Sequence, residues 1–220
     1  MLQDLKTEGI TLKVVPYQEK AAIVTLFTPL GGLLTCFAKQ LRGVSALVQG
    51  EWVVTKRTKG LPLLAAETVT SRFPTIRSSY AHMQAAGEMA RLVLQTQQAN
   101  KEAALLYQLL IDNLHKLHDF CHPETLSLSF SLKLLRLEGI WYHEPLCAAC
   151  HKPLAQMVIY NGEPLCERHA SQVGIRFDIN ETELVHQLAL SRSYSTLKSL
   201  LLSPHLQKSL RETILNLLNL

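Results

Sequence analysis

Residues 9–43 read GITLKVVPYQEKAAIVTLFTPLGGLLTCFAKQLRG. Three runs stand out within them: GITLKVV (9–15), AAIVTLF (21–27) and GLLTCFAK (32–39). Each is short and rich in Val, Ile, Leu, Thr and Phe, and Pro16 and the Pro29-Leu30-Gly31-Gly32 group separate them. Such side chains pack well on a pleated surface, and Gly and Pro turn the chain between strands. Two further runs follow, EWVVTKR (51–57) and LPLLAAETV (61–69), divided by Gly60. Five short strands with tight turns suit a small barrel or sandwich. Periodicity leaves an SH3-like barrel and a five-stranded oligonucleotide-binding (OB) barrel both open.

Beyond Tyr80 the period changes to that of a helix. Residues 80–97 are rich in Ala, Met, Leu, Glu and Gln, all good helix formers. In 101–118, Leu106, Leu110, Leu114 and Leu117 fall on one stripe. Near the C-terminus, Ser203-Pro204 is a helix start, followed by Leu206, Leu210, Ile214 and Leu217 at helical spacing. Segment 124–139, ETLSLSFSLKLLRLEG, alternates as a strand would from Leu126 to Leu134. It also carries two helical leucine stripes, is long for a strand, and ends in Gly139. It is read as a buried central helix.

Hydrophobic residues make up 47% of the 220 and charged residues 18%, so a packed core is within reach and an ordered chain is expected. The opening MLQDLK is charged, and no apolar run is long enough for a signal peptide or a membrane span. A soluble, cytoplasmic protein is expected. The net charge of +4 is concentrated at one end: residues 1–80 hold ten Lys/Arg against five acids, leaving twelve against thirteen for the rest. An anionic partner would be steered to that first third.

Three of the five cysteines cluster in CAACHKPLAQMVIYNGEPLCERH (147–169). Cys147, Cys150, Cys166 and His169 form a C-x2-C-x15-C-x2-H pattern, which suits a tetrahedral zinc. Asn161-Gly162 between apolar flanks predicts a hairpin that brings the two pairs together. Four ligands close the coordination sphere, so a structural rather than catalytic metal is expected. Lys152 and Arg168 stand beside ligands, where they offset its net negative charge. His151 is the runner-up for the fourth position. Cys36, in a strand, and Cys121, between helices, are read as buried or partly buried bystanders.

Enzymatic signatures are thin. His122-Pro123-Glu124 with Pro145…Cys147-Ala-Ala-Cys150 is a near match to the zinc-deaminase pattern, but the proline is misplaced and Cys166 and His169 are left idle. There is no Gly-rich phosphate loop, G-x-S-x-G elbow or H-E-x-x-H, so no enzymatic activity and no small-molecule substrate are expected. Trp52, Phe27, Phe37 and Tyr17 are aromatic at strand positions, which is more often core than base-stacking.

A basic strand-rich part, then helices, then a late Cys/His module resembles the bacterial recombination mediators of the RecO family. The likeness extends to residues. Segment 9–43 has a G-h-h-L-K start, a Tyr-x-Glu segment, h-h-T-L-F-T, a Gly turn and an Ala-Lys-x-x-Arg end. SFSLKLLRLEGIWYHEPLCAAC (129–150) is similar to the family's Phe-x-x-K-L-L helix running into its first metal pair. From 172 onward only a helical remainder is recognisable. The family's zinc-bearing members usually end their motif in Cys; here His169 stands instead, an exchange zinc accepts. The basic cluster after the third strand is also thinner than in many members.

The resemblance implies an α+β protein with an N-terminal five-stranded OB-fold barrel (1–79) and an α-helical domain (80–220). The latter would carry an inserted zinc module at about 145–172. It implies binding of single- and double-stranded DNA, strand annealing, a RecR-type partner, contact with the C-terminal tail of single-stranded DNA-binding protein (SSB), and assistance to RecA loading. Such work is cytoplasmic and nucleoid-associated. Lys13, Lys39, Arg42, Lys56, Arg57 and Lys59 are the candidate DNA-binding residues. Lys56-Arg57-Thr58-Lys59-Gly60 is the densest basic run, expected at a hairpin tip. The alternative is a zinc-stapled protein-interaction scaffold whose basic surface is incidental.

Overall fold

The computed structural model describes residues 4–17, 19–39, 45–141, 144–170 and 174–218, the side chains of 65–67 aside. Two compact units divide between His115 and Lys116. The first begins with strands β1 (Asp4–Tyr17), β2 (Ala21–Thr28), β3 (Gly32–Ala38), β4 (Gln49–Thr55) and β5 (Leu63–Ser71). They close into a barrel in the order β1-β2-β3-β5-β4, with β4 returning to β1. The β3–β5 contact is parallel, through Phe37↔Leu63 and Ala38↔Leu64, and every other pairing is antiparallel. This is the OB arrangement, so strand order decides what periodicity left open.

Strand β1 serves two partners. Its first half, Asp4 to Ile10, pairs with β4, and its second half, Ile10 to Tyr17, pairs with β2. An irregularity between Thr11 and Lys13 lets it bend from one to the other. The groups freed there are taken up by the approach to β4. The Thr11 hydroxyl donates to the Ser45 carbonyl (2.6 Å) and accepts from the Val48 N–H (2.9 Å). The apolar pattern predicts this strand only from Gly9. Its polar first residues extend it because β4 supplies their ladder and Lys6 pairs with Glu51 at 2.9 Å.

Inside the barrel, Ala22, Val24, Leu26, Cys36, Ala38, Val48, Trp52 and Val54 form one buried cluster. Small residues on β2 and β3 make room for Trp52, whose indole N–H donates to the Gly9 carbonyl at 3.0 Å. Burial pushes the Cys36 thiol up to about 11, so it is an inert filler.

Helices α1 (Pro74–Arg77), α2 (Tyr80–Thr96) and α3 (Ala104–Lys116) follow the barrel. The link between α2 and α3 grips the β2–β3 turn with three hydrogen bonds. The Leu33 N–H donates to the Gln98 carbonyl, Asn100 N–H to Gly31, and Ala103 N–H to Pro29, at 3.2, 2.9 and 2.9 Å. The first unit therefore includes helical chain to His115.

The second unit is built around α4 (Pro123–Leu137), preceded by a 3₁₀ turn at Leu117–Asp119. The alternating Leu/Ser run is helical, as expected from its length and stripes. All residues from Thr125 to Leu132 are buried, and the serines find backbone acceptors both within the helix and on α5 (Ile179–Leu190). Ser131 donates to the Ser127 carbonyl at 2.8 Å and Ser129 to the Leu188 carbonyl at 2.7 Å. A strand pattern thus hides a helix whose small polar face is also covered. Gly139, at φ 68°, follows its end.

Around α4 lie β6 (Met157–Tyr160), β7 (Glu163–Leu165), β8 (Ile175–Phe177), α5 (Ile179–Leu190), α6 (Tyr194–Ser199) and α7 (Pro204–Leu217). Helices α5, α6 and α7 all pack on α4. Ser203 caps α7 by accepting from the Leu206 N–H, and Leu206, Leu210 and Ile214 face inward, as their spacing predicts. Cys121 departs from expectation. It is exposed, because it precedes α4 in a bend whose first buried residue is Pro123. Among the described residues no helix is long and apolar enough to cross a membrane.

Lys133 sits on α4 between buried leucines, and burial draws its ammonium down to about 8 from 10.5. Between these values the unfolded chain holds a proton that the folded chain has lost, so stability should rise with pH across about 8 to 10.5. Below that window both states are charged and the fold bears the full desolvation cost. Lys133→Met should therefore raise Tm by roughly 2–4 °C at neutral pH and flatten this pH dependence, as read by thermal melts.

Candidate metal centre and nucleic-acid-binding face

Two tight turns and a hairpin build the metal centre. In the first turn, Leu146 bridges Pro153, the Cys147 N–H donates to the Lys152 carbonyl (2.9 Å), and the His151 N–H donates back to the Cys147 carbonyl (2.8 Å). His151 takes a left-handed φ of 56° to close this knuckle. In the second, the N–H groups of His169 and Ala170 both donate to the Cys166 carbonyl at 2.9 Å. The hairpin β6–β7 turns at Asn161 and Gly162 with φ of 48° and 84°, the left-handed pair that a two-residue turn requires. The Ala148 N–H donates to the Pro164 carbonyl at 2.9 Å, tying the first turn to β7. Strand β8 extends the sheet on the other side of β6, a pairing that its three residues did not advertise.

These turns place one atom each from Cys147, Cys150, Cys166 and His169 within 4.8 Å of one another. The Nδ1 of His169 is 3.3 Å from the Cys166 Sγ and 3.7 Å from that of Cys147, and the Sγ atoms of Cys150 and Cys166 are 4.0 Å apart. A zinc with bonds of 2.0–2.3 Å sets tetrahedral edges of about 3.5–3.8 Å, so the cluster has the size that such an ion needs. His151, the runner-up, is not in this cluster.

The electrostatics of the donors fit a cation. Burial opposes ionisation of the Cys147 thiol. Hydrogen bonds from the N–H groups of Cys166, Cys150 and Ala149 and from the His169 ring outweigh it and bring the thiol down to about 6. For Cys150, the Lys152 N–H favours the thiolate, but burial and the neighbouring Cys147 and Cys166 sulfurs prevail and raise its pKa. One thiolate is prepared and a second is resisted by the first, a conflict that a divalent cation resolves. Cys147 is fully buried, Cys150 and Cys166 are partly so, and His169 forms the exposed edge. This cluster can hold a metal ion.

The candidate DNA-binding residues lie apart from it, in the first unit. Lys56, Arg57 and Lys59 are exposed on the link between β4 and β5, a hairpin tip as expected. Lys39 is exposed directly after β3, and Lys13 is exposed on β1. Arg42 lies outside the described residues. The first four meet at one rim of the barrel. Leu63 pairs with both Thr55 and Phe37, and the Phe37 N–H donates to the Pro62 carbonyl at 2.7 Å. The end of β3 is thereby joined to the base of the basic hairpin. In OB folds this side, with the β1–β2 and β4–β5 loops, receives oligonucleotides.

Two bases counted in the charge of the first third have other work. Lys6 is paired with Glu51. Arg77 donates to the carbonyls of Arg72 (2.9 Å), Ala46 (2.7 Å) and Leu47 (3.4 Å), holding the chain that enters β4. Composition alone does not distinguish such a clamp from a free cation.

Comparison with known proteins agrees with this layout. Residues 1–72 match the family described as Recombination protein O N terminal, and residues 77–219 match Recombination protein O C terminal. A protein named DNA repair protein RecO from Chlamydia pneumoniae is 28% identical over 198 residues, covering 86% of this chain and 78% of the relative. Its namesake from Chlamydia muridarum is 26% identical over 202 residues, covering 87% and 86%. Another, from Bacillus cytotoxicus, is 28% identical over 192 residues, covering 83% and 77%. With both family regions matched in order around an OB barrel and a Cys/His cluster, the chain belongs to the recombination protein O family.

Proposed function

We propose that this protein is a DNA-binding recombination mediator in DNA repair and not an enzyme. The observation that carries the reading is the exposed basic rim of an OB barrel in a chain of this family. Lys39, Lys56, Arg57 and Lys59, with Lys13 along β1 and Arg42 beyond Lys39, neutralise backbone phosphates. Such contacts release condensed counterions and read no sequence, which suits a protein that must act on any strand. In this reading residues 1–79 carry the nucleic-acid binding and 80–220 the helices and the metal module at about 145–172, with the helices up to His115 sharing the barrel's compact unit.

In this reading Cys147, Cys150, Cys166 and His169 hold one structural zinc. When bound, the ion supplies only cross-linking of the two turns. The protein's own residues orient the donors through the Cys147–Lys152 and Cys166–His169 backbone bonds. Annealing of single strands, a RecR-type partner, the SSB C-terminal tail and assistance to RecA loading are supported by the resemblance of 9–43 and 129–150 to the family. The cytoplasm is the compartment where such work is done.

Anisotropy titration of labelled single and double strands tests the central point. Affinity should fall steeply with salt. Charge reversal at Lys56, Arg57 and Lys59 should weaken binding to both substrates and reduce the salt slope by about one per lost phosphate contact. Reversal at Lys39 and Arg42 should act the same way. Absence of binding at low salt, with or without a RecR-type partner, would leave the scaffold reading in place of this one.

A further inference from the structure

The outer surface of β1–β3 carries aromatic side chains that neither the core nor the charge pattern explains. Inward positions are Val14 on β1, Ala22, Val24 and Leu26 on β2, and Leu34, Cys36 and Ala38 on β3. The alternate positions point outward. There Val15, Ile23 and Phe37 lie in one cross-strand row, with Tyr17 next along β1. Val15 is 41% and Tyr17 48% exposed, whereas Trp52 and Phe27 are fully buried. The Tyr17 and Phe37 rings meet edge to face, with centroids 5.9 Å apart and planes at 78°. Single exposed apolar residues are ordinary. A contiguous row with two paired aromatics at one rim is a prepared surface.

Its electrostatic setting indicates the occupant. Across 13–17, 21–28 and 32–39 the charged residues are Lys13 and Lys39 alone. Tyr17 leads into the β1–β2 turn, which carries Glu19 and Lys20. Phe37 is bonded to Pro62 at the foot of the Lys56–Lys59 hairpin. The rim's other acid, Asp4, accepts from the Thr55 hydroxyl at 2.6 Å. Apolar rings framed by lysines and arginine suit a ligand that is flat and apolar in part and anionic along its length.

We propose that Tyr17 and Phe37 form a base-stacking platform for single-stranded nucleic acid. This rests on the reading of the barrel as a nucleic-acid binder and adds strand selectivity to it. The rim cations hold phosphates of either substrate, while the rings engage only bases whose faces are free of a duplex stack. Duplex binding thus depends on charge alone, and single-strand binding on charge plus stacking.

The test uses the full chain, a labelled oligothymidine and a labelled duplex of equal length, each titrated at two salt concentrations. Tyr17→Ala should lower single-strand affinity about tenfold, leave duplex affinity unchanged, and preserve the salt slope, since stacking releases no counterions. Tyr17→Phe should bind as the unaltered chain does. Phe37→Ala should repeat the pattern, with its melting curve separating lost stacking from lost folding. Equal losses on both substrates, no loss, or Tyr17→Phe as weak as Tyr17→Ala would overturn the platform. Salt-dependent binding that Tyr17→Ala leaves undiminished on both substrates overturns the platform and keeps the charged rim. Failure of the unaltered chain to bind either substrate overturns both.

Discussion

Cys147→Ser should leave the protein without its metal and without an ordered 145–172 module. About one zinc per chain is expected by elemental analysis of the unaltered protein, and close to none in the variant. Structural zinc sites bind with on the order of 10 kcal/mol at neutral pH, and that binding energy is folding energy for the chain they close. Cys147 is the position of greatest effect because it is fully buried and its sulfur accepts the Cys166 N–H at 3.4 Å. The module's own backbone pairing is also short. Strands β6, β7 and β8 contribute four, three and three residues, below the usual strand length. Hydrogen exchange should show rapid opening of β6–β7 after chelation while α4 stays protected. Acidification should release the metal too, because protons compete for the thiolates. Metal retained by Cys147→Ser would refute the ligand set, whereas His169→Cys should keep it.

Gly32→Ala should destabilise the first unit by about 4–5 kcal/mol, the sum of a left-handed backbone penalty and about one kcal/mol for each of the three strained hydrogen bonds. Gly32 has φ 59°, and a Cβ there would stand 2.5 Å from the carbonyl oxygens of both Gln98 and Lys101. Those oxygens are backbone and cannot rotate away as a side chain could. Relief requires the 97–103 link to withdraw, which breaks its bonds to Leu33, Gly31 and Pro29. Denaturant melts would measure the loss. Gly60→Ala is the control. Gly60 is also left-handed, at φ 83°, but a Cβ there meets nothing within 4 Å, so only the smaller conformational cost applies. Equal effects of the two substitutions would show that the clamp contributes nothing.

Much of this was legible in the residues. The C-x2-C and C-x2-H spacings and Asn161-Gly162 are local signals, and each turned out to be the turn its chemistry demands. The strand runs of 9–69 were legible too, since alternation reports one buried face. The Leu/Ser run of α4 was harder, because burial on every side erases the contrast that periodicity measures. The capping box of α5 was present as Asp178 and Glu181, the Asp178 carboxylate accepting from the Glu181 N–H at 2.8 Å, but was overlooked in a segment read only as helical. Strand β8 carried no such signal. Three residues become a strand only because β6 offers an open edge.

The division between the two kinds of information follows from the range of the forces. Spacing, turn chemistry and hydrophobic alternation act over a few residues, so the chain's own order discloses barrel strands, metal turns and central helix. Three decisions needed distant parts of the chain to meet. Closure through a parallel β3–β5 contact selected the OB barrel over other five-stranded forms. The grip of the 97–103 link on Gly32 joined helical chain to the barrel's own unit. The pairing of cations sorted a basic third into a clamp at Arg77, an ion pair at Lys6 and an open rim at Lys39 and Lys56–Lys59. A net charge is additive along the sequence, but its availability to a ligand depends on which carbonyls and carboxylates stand within hydrogen-bonding distance, and only the folded chain sets that.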